Sequence, residues 1–136
     1  MSYAISEALQ TAVFTALSGD AGVTALVGSN LYDAVPSGPL PSLYIALGEE
    51  KVRDLSSKTS AGALHDLNVD VHSDVAGFQA SKAIAAAVCD ALIDADLSLS
   101  RGALTRLQFK FARARKGISP DQRVINLTFR AQVTEI

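Results

Sequence analysis

Hydrophobic and polar residues alternate most regularly between residues 64 and 72. One parity is mostly apolar, with His65, Leu67, Val69 and Val71, and the other is polar, with Asp66, Asn68, Asp70 and His72. A period of two predicts a strand that buries the first set against a core. After Ser73 the apolar spacing becomes helical, which predicts a helix with the stripe Phe78, Ile84, Val88, Ala91, Leu92 and Ala95. Asp74 is the predicted N-cap of this helix.

The first forty-nine residues predict two helices and two extended segments. Ile5, Leu9, Val13 and Leu17 recur every four residues, so we expect a helix that Ser2 caps and Gly19 ends. A shorter helix over 21–26 follows, with Asp20 as its cap and Gly28 as its stop. Residues 31–35 form a short extended piece, prolines interrupt 36–41, and a strand resumes over 42–49.

The segment from residue 50 to residue 62 is polar and aperiodic, so it predicts a long loop between two strands. Two alternating segments, 104–112 and 124–133, predict an antiparallel hairpin near the C-terminus. In the first of them, Leu107, Phe109 and Phe111 form the apolar parity. Arg113, Arg115 and Lys116 are interpreted as a solvated strand end.

These elements follow in the order α-β-β-β-α-β-β. We predict one α+β domain over residues 1–136, in which two helices pack on one face of a mostly antiparallel, possibly mixed sheet. The other face of the sheet is polar. It either faces water or meets a neighbouring subunit or a channel.

Composition adds a weak indication of assembly. The chain is 49% hydrophobic and only 19% charged, so other subunits could cover part of its surface. Its net charge of −2 argues against a nucleic-acid-binding face. The single cysteine, Cys89, fits a reducing compartment and a small core residue. Without a membrane-spanning apolar run or a signal peptide, we expect synthesis in the cytoplasm and no membrane contact.

The residues that carry chemistry are not arranged as a catalytic or metal site. His65 and His72 are seven residues apart on one strand and therefore point to opposite faces. Asp66 and Asp70 share a face but are about 13 Å apart along a strand, too far to bind one ion. No phosphate-binding or nucleophile-elbow motif occurs. We therefore predict no catalytic residue, no cofactor and no metal, and a protein that is not an enzyme.

The chain resembles the tail-terminator, or tail-completion, proteins of long-tailed phages and gene transfer agents. The resemblance runs nearly end to end: the helix EALQTAVFTALSGD, the turn AGVTALVG, the proline turn in LYDAVPSGPLPSLYIALGE, and the strand-to-helix segment HDLNVDVHSDVAGFQASKAIAAAVCDAL. It implies a six-fold ring of this chain that ends tail-tube polymerisation. The implied partners are other copies of the chain, the tail-tube protein and the head-side connector or stopper.

The same resemblance implies that DNA passes only transiently through the lumen of the ring. It places the protein in the host cytoplasm during assembly and then in the neck of the particle. An acidic subunit would suit a lumen that does not retain DNA. Two alternatives remain open, namely another neck component, such as a stopper or head-tail joining protein, and a small cytoplasmic binding module unrelated to phage.

The loop over 50–62 offers the candidate contact residues. Arg53, Asp54, Lys58 and Thr59 are polar groups on a segment long enough to reach a neighbouring subunit or the tail tube. The alternative is that this loop is only mobile.

Overall fold

Two long strands with clean alternation form the middle of a five-stranded sheet. They are β3, Gly62–Ser73, and β5, Arg123–Thr134, which pair in antiparallel register from Gly62 opposite Thr134 to Ser73 opposite Arg123. β4, Ala103–Lys116, lies outside β5, and β2, Leu43–Asp54, lies outside β3. The two-residue strand β1, Leu31–Tyr32, pairs in parallel with β2, so the sheet order is β1-β2-β3-β5-β4. The computed structural model describes residues 3–135.

Three helices cover one face of this sheet. They are α1, Ser6–Ser18, α2, Ala21–Val27, and α3, Gln79–Leu92. The apolar parities of β3 and β5 point towards them, and Val69, Val71, Phe129 and Ala131 have no exposed surface. Their main packing partners on the helices are buried as well: Ile5, Leu9, Val13 and Leu17 on α1, and Ile84, Val88 and Leu92 on α3. The predicted two-layer α+β fold with a mixed, mostly antiparallel sheet is confirmed, and the short α2 is its third helix.

The cap of α2 is as predicted, whereas the cap of α3 is not. The Asp20 carboxylate accepts from the Val23 amide at 3.0 Å, and Gly28 ends α2. Asp74 instead lies in a turn in which Gly77 has a φ of 76°, so α3 begins only after Phe78. The stripe also ends earlier than predicted, because α3 stops at Leu92 and Ala95 lies beyond it. Ser2, the predicted cap of α1, lies outside the described residues.

β2 is longer than its pattern indicates, and the predicted loop is correspondingly shorter. The strand continues to Asp54, and only residues 55–61 connect it to β3. The cause is a β-bulge, since Leu47 pairs with Val69 and the next pair is Glu50 with Leu67. Gly48 and Glu49 together lie opposite the single residue Asn68, so β2 has one extra residue there. The alternation therefore shifts phase, and the second half of the strand looks aperiodic in the sequence.

β4 also continues past its predicted end, to Lys116. Phe109 pairs with Phe129 and Phe111 pairs with Thr128, so Lys110 is an extra residue at a second bulge. This insertion turns Phe111, Arg113 and Arg115 to the polar face of the sheet. The prediction that Phe111 belongs to the apolar parity was therefore wrong, as was the placement of Arg113, Arg115 and Lys116 beyond the strand.

Candidate functional site

The polar face of the sheet carries an ordered ladder of hydrogen bonds between β3 and β5. Arg130 donates to both carboxylate oxygens of Asp66, at 2.8 and 3.2 Å. One pair along, the Thr128 hydroxyl donates to Asn68 at 2.9 Å. Asn126 then donates to Asp70 at 2.7 Å. Each pair consists of residues directly opposite each other in the register, so side chains that the sequence showed only as polar stabilise one another across the strands.

Charge within this ladder is locally balanced. The hydrogen bond from Arg130 lowers the pKa of Asp66 below its ordinary value, so the carboxylate remains ionised at neutral pH. Arg115, which the β4 bulge turns to this face, donates to Asn126 at 3.0 Å and extends the ladder to the third strand. These contacts link the side chains of the polar face into one hydrogen-bonded surface across three strands.

A shallow depression of about 740 Å³ lies along this face. Glu49, Lys51, Phe111 and Arg113 line it together with all the ladder residues except Arg130. Phe111 is 60% exposed, an unusual position for a phenyl ring on an otherwise polar surface. The depression therefore combines both signs of charge with one apolar group, which is typical of a protein contact rather than a small-molecule pocket.

His72 occupies the end of the polar face. Its ring stacks on Tyr44 with the centroids 4.6 Å apart and the planes within 7°. Burial lowers the pKa of His72 below its ordinary value, which favours the neutral ring. His72 is therefore on the polar face, as its parity predicts, but its ring packs against Tyr44 of β2.

His65 points to the helical layer, as its parity predicts, and it is fully buried. Its Nδ1 lies 3.1 Å from a carboxylate oxygen of Glu50. The other carboxylate oxygen accepts from the hydroxyls of Ser6 and Tyr3, both at 2.6 Å. Burial alone would raise the pKa of Glu50, but the hydrogen bonds from Ser6, Tyr3 and His65 lower it overall. This cluster joins α1 to β2 and β3, so its role is structural.

The described residues hold few of the features of a catalytic or metal centre. Between residues 3 and 135, no three His, Cys, Asp or Glu side chains converge to hold a metal ion. Cys89 packs partly buried against the core, and burial raises the pKa of its thiol. Within the same part of the chain, every helix is too short or too polar to span a bilayer.

The four predicted contact residues lie at one end of the sheet but on two kinds of structure. Arg53 and Asp54 belong to the end of β2, whereas Lys58 and Thr59 lie in the connection to β3. All four are exposed. The connection is closed by backbone hydrogen bonds from Leu55 to Gly62 at 2.9 Å and from Ser57 to Ser60 at 2.8 Å. It is therefore a defined hairpin tip rather than the long irregular loop that the sequence suggested.

The opposite end of the sheet exposes apolar side chains. Ile118 lies at the tip of the β4–β5 hairpin, and Leu40 lies in the proline segment beside it. Val35 and Val75 are also exposed in the connections before β2 and after β3. Isolated exposed apolar residues are ordinary, but four of them in neighbouring connections give the two ends of the molecule different chemistry.

Comparison with known proteins shows what kind of protein carries these surfaces. The family model described as "Tail completion protein gp17" matches residues 11–134. The chain belongs to this tail completion family. Among curated protein sequences, none matches it significantly.

A solved structure agrees with the family assignment. The chain is similar to one in the structure titled "Virion of native gene transfer agent (GTA) particle", with 54% identity and a TM-score of 0.93. The match covers 98% of this chain and 99% of the other. The predicted resemblance to tail-completion proteins of phages and gene transfer agents is confirmed, and this tail completion protein is a structural protein of the phage-tail class.

Proposed function

We propose that this tail completion protein is a tail terminator. Copies of the chain form a ring at the head-proximal end of the tail tube, stop its polymerisation and join it to the head. The protein performs no catalysis, and DNA crosses the ring only during delivery. The observation that carries the proposal is the nearly full-length similarity, at 54% identity, to a chain of a gene transfer agent virion. The family match over residues 11–134 supports it.

The geometry is compatible with a ring subunit. A closed ring needs two different side surfaces on each copy, because one copy contacts the next through a heterologous interface. It also needs two different ends, since one side of the ring meets the tail tube and the other meets the head. The sheet has two distinct edges, β4 and the β1–β2 side, and its two ends differ in polarity. A single domain over residues 1–136 is sufficient for this role.

The contact role of the hairpin tip is part of the proposal. Arg53, Asp54, Lys58 and Thr59 are exposed at the polar end of the sheet, where a neighbouring subunit or the tail tube can reach them. Because the tip is closed by hydrogen bonds, it presents these side chains with little loss of conformational entropy on binding.

The function is tested by adding the purified protein to purified tail tubes and, separately, to purified head connectors. A terminator caps the tubes and prevents further addition of tube protein. Binding to connectors without binding to tubes would identify a stopper instead. Binding to neither would overturn the assignment to the neck.

The contact residues are tested in the same assay with all four changed to alanine. We expect the variant to fold normally, because these side chains are exposed, but to cap tubes at least tenfold less efficiently than the wild type. A control variant with Thr15→Ala and Ser18→Ala, on the exposed side of α1, should cap normally. Normal capping by the fourfold variant would show that the tip is not a contact surface.

A further inference from the structure

The charges of this chain are strongly segregated along its sequence. The first fifty residues contain the acids Glu7, Asp20, Asp33, Glu49 and Glu50 and no Lys or Arg, a side-chain charge of −5. Residues 97–134 contain eight Lys and Arg against the single acid Asp121, a charge of +7. The net charge of −2 conceals this asymmetry.

The fold places these two segments at opposite edges of the sheet. α1, α2, β1 and the first half of β2 form one side, and β4 forms the other, since the order is β1-β2-β3-β5-β4. With strands roughly 4.8 Å apart, β4 is about 14 Å from β2 and about 19 Å from β1. Both distances exceed one Debye length of about 8 Å at physiological ionic strength, so charges on the two edges attract each other only weakly within one molecule.

The β4 edge is basic and is built for contact. The strand carries Arg106, Lys110, Arg113, Arg115 and Lys116 and no acid, and its last eight residues, Phe109 to Lys116, are all exposed. Ala112, Ala114 and Phe109 line a mainly apolar groove of about 310 Å³ between β4 and α3. An edge strand of this length is a site for pairing with another chain unless its charges prevent it.

The opposite edge is acidic along α1, β1 and the first half of β2, before the exposed Lys51 and Arg53. A depression of about 540 Å³ beside α1 is lined by Tyr3, Ala4, Ser6, Gln10 and Thr11, and its charged lining residues among those described are Glu7 and Asp33. Glu49 is exposed nearby at the β2 bulge. Tyr3 is 64% exposed and supplies an aromatic ring at this edge. Acid and aromatic groups here complement the cations and the apolar groove of β4.

We infer that the basic β4 edge of one copy binds the acidic α1–β2 edge of the next copy. Two β4 edges would bring ten cations together in a two-fold contact, whereas the head-to-tail contact pairs unlike charges. Repeating the same head-to-tail contact closes a ring when its rotation permits. This inference rests on the proposed ring and names the surfaces that form it.

Charge reversal tests the inference. The basic-edge variant has Arg106→Glu, Lys110→Glu, Arg113→Glu and Lys116→Glu, which changes the charge of β4 from +5 to −3. The acidic-edge variant has Glu7→Lys and Glu49→Lys, which changes the summed charge of positions 7, 33 and 49 from −3 to +1. All substituted residues are exposed, so both variants should fold. Each variant alone carries one sign of net charge on both edges, and we expect its assembly to weaken at least tenfold. An equimolar mixture restores attraction at every contact of an alternating ring, so mixing should recover the wild-type assembly.

Assembly is measured as particle mass, both in solution and on tail tubes. The monomer has a mass of 14.2 kDa, so a six-fold ring has about 85 kDa, six times that value. Raising NaCl from about 0.1 M to about 1 M shortens the Debye length from about 10 Å to about 3 Å and should weaken the wild-type ring. A control with Asp74→Lys and Asp121→Lys changes the charge at the end of the sheet, and it should assemble like the wild type.

The outcomes separate the inference from the proposed function. Rings formed by each reversal variant alone would overturn the edge assignment while leaving the terminator intact. Failure of the mixture to assemble would also overturn it. A wild-type chain that remains monomeric both in solution and on tubes would overturn the ring and the edge assignment together.

Discussion

At the scale of single residues, Glu50 ties the helices to the sheet through three side-chain hydrogen bonds. The β2 bulge turns this residue towards the helices, where its carboxylate accepts from Ser6, Tyr3 and His65. Neighbouring Glu49 is exposed. The neighbouring residues Glu49 and Glu50 therefore have different roles, because the bulge determines which of them faces the helices.

Replacing Glu50 by alanine removes the acceptor of three hydrogen bonds and leaves the buried His65 Nδ1 without this partner. We expect a loss of about 1.5–3 kcal/mol in the free energy of unfolding, the usual range for hydrogen bonds to a charged group. Urea denaturation at pH 7 measures it. Glu49→Ala is the matched control and should change stability by less than about 0.5 kcal/mol. Equal effects of the two substitutions would contradict the structural role of Glu50.

The pairing of Asp66 with Arg130 predicts a specific pH dependence. The pKa of Asp66 is lower in the folded protein than its ordinary value of 3.8. Its contribution to stability is therefore fully present above that value and is lost as the pH falls through the lower folded pKa. Asp66→Asn should destabilise the protein at pH 7, and the difference from the wild type should shrink below about pH 4. A difference that stays constant from pH 7 to pH 2 would contradict this account.

At the scale of elements, the bulges decide which face each side chain reaches. β3 and β5 keep one phase throughout, and the sequence alone predicts their buried and polar faces correctly. β2 changes phase at one extra residue, and β4 changes phase at two, Thr105 and Lys110. An insertion leaves a weak trace in the sequence, because Phe109-Lys-Phe111 still reads as uninterrupted alternation. The end of β4, the short hairpin tip and the position of Phe111 could therefore not be predicted.

For the surfaces, the sequence predicted which face a residue occupies but not which residues it contacts. The polar parity of β3 and β5 was visible in the sequence, but the pairing of Asp66 with Arg130 and of Asn68 with Thr128 depends on the register. Sequence alternation gives the face of a residue, whereas its cross-strand partner requires knowledge of the strand order. The separation of charge between the N-terminal fifty residues and the last two strands was visible in the sequence. Only the fold shows that β4, with its cations, is an edge strand that another chain can reach.

Deletion of Lys110 tests the role of the β4 bulge. Without this extra residue, Phe109 and Phe111 are consecutive and still lie opposite Phe129 and Thr128, so Arg113 and Arg115 keep their places on the polar face. We therefore expect the free energy of unfolding to change by less than about 1 kcal/mol. Deletion of Ala112 instead keeps the bulge and turns Arg113 and Arg115 towards α3, so it should cost about 1–3 kcal/mol and the hydrogen bond from Arg115 to Asn126. A larger loss from the Lys110 deletion than from the Ala112 deletion, measured by urea denaturation, would contradict this register.

At the scale of the whole molecule, the protein is a plate with four different sides. Its edges are basic and acidic, and the end around Ile118 exposes more apolar side chains than the hairpin tip, where Leu55 is exposed. A subunit of a ring requires this asymmetry, because each copy must contact two neighbours and two different structures above and below it.

Deleting the gene in its host and examining the particles by electron microscopy shows whether this protein ends the growth of the tail tube. If it does, the deletion leaves complete heads without tails, accompanied by free tubes of irregular length, and the wild-type gene restores normal particles. Tailless heads that leak DNA beside tubes of uniform length, or particles of normal appearance, would contradict this role.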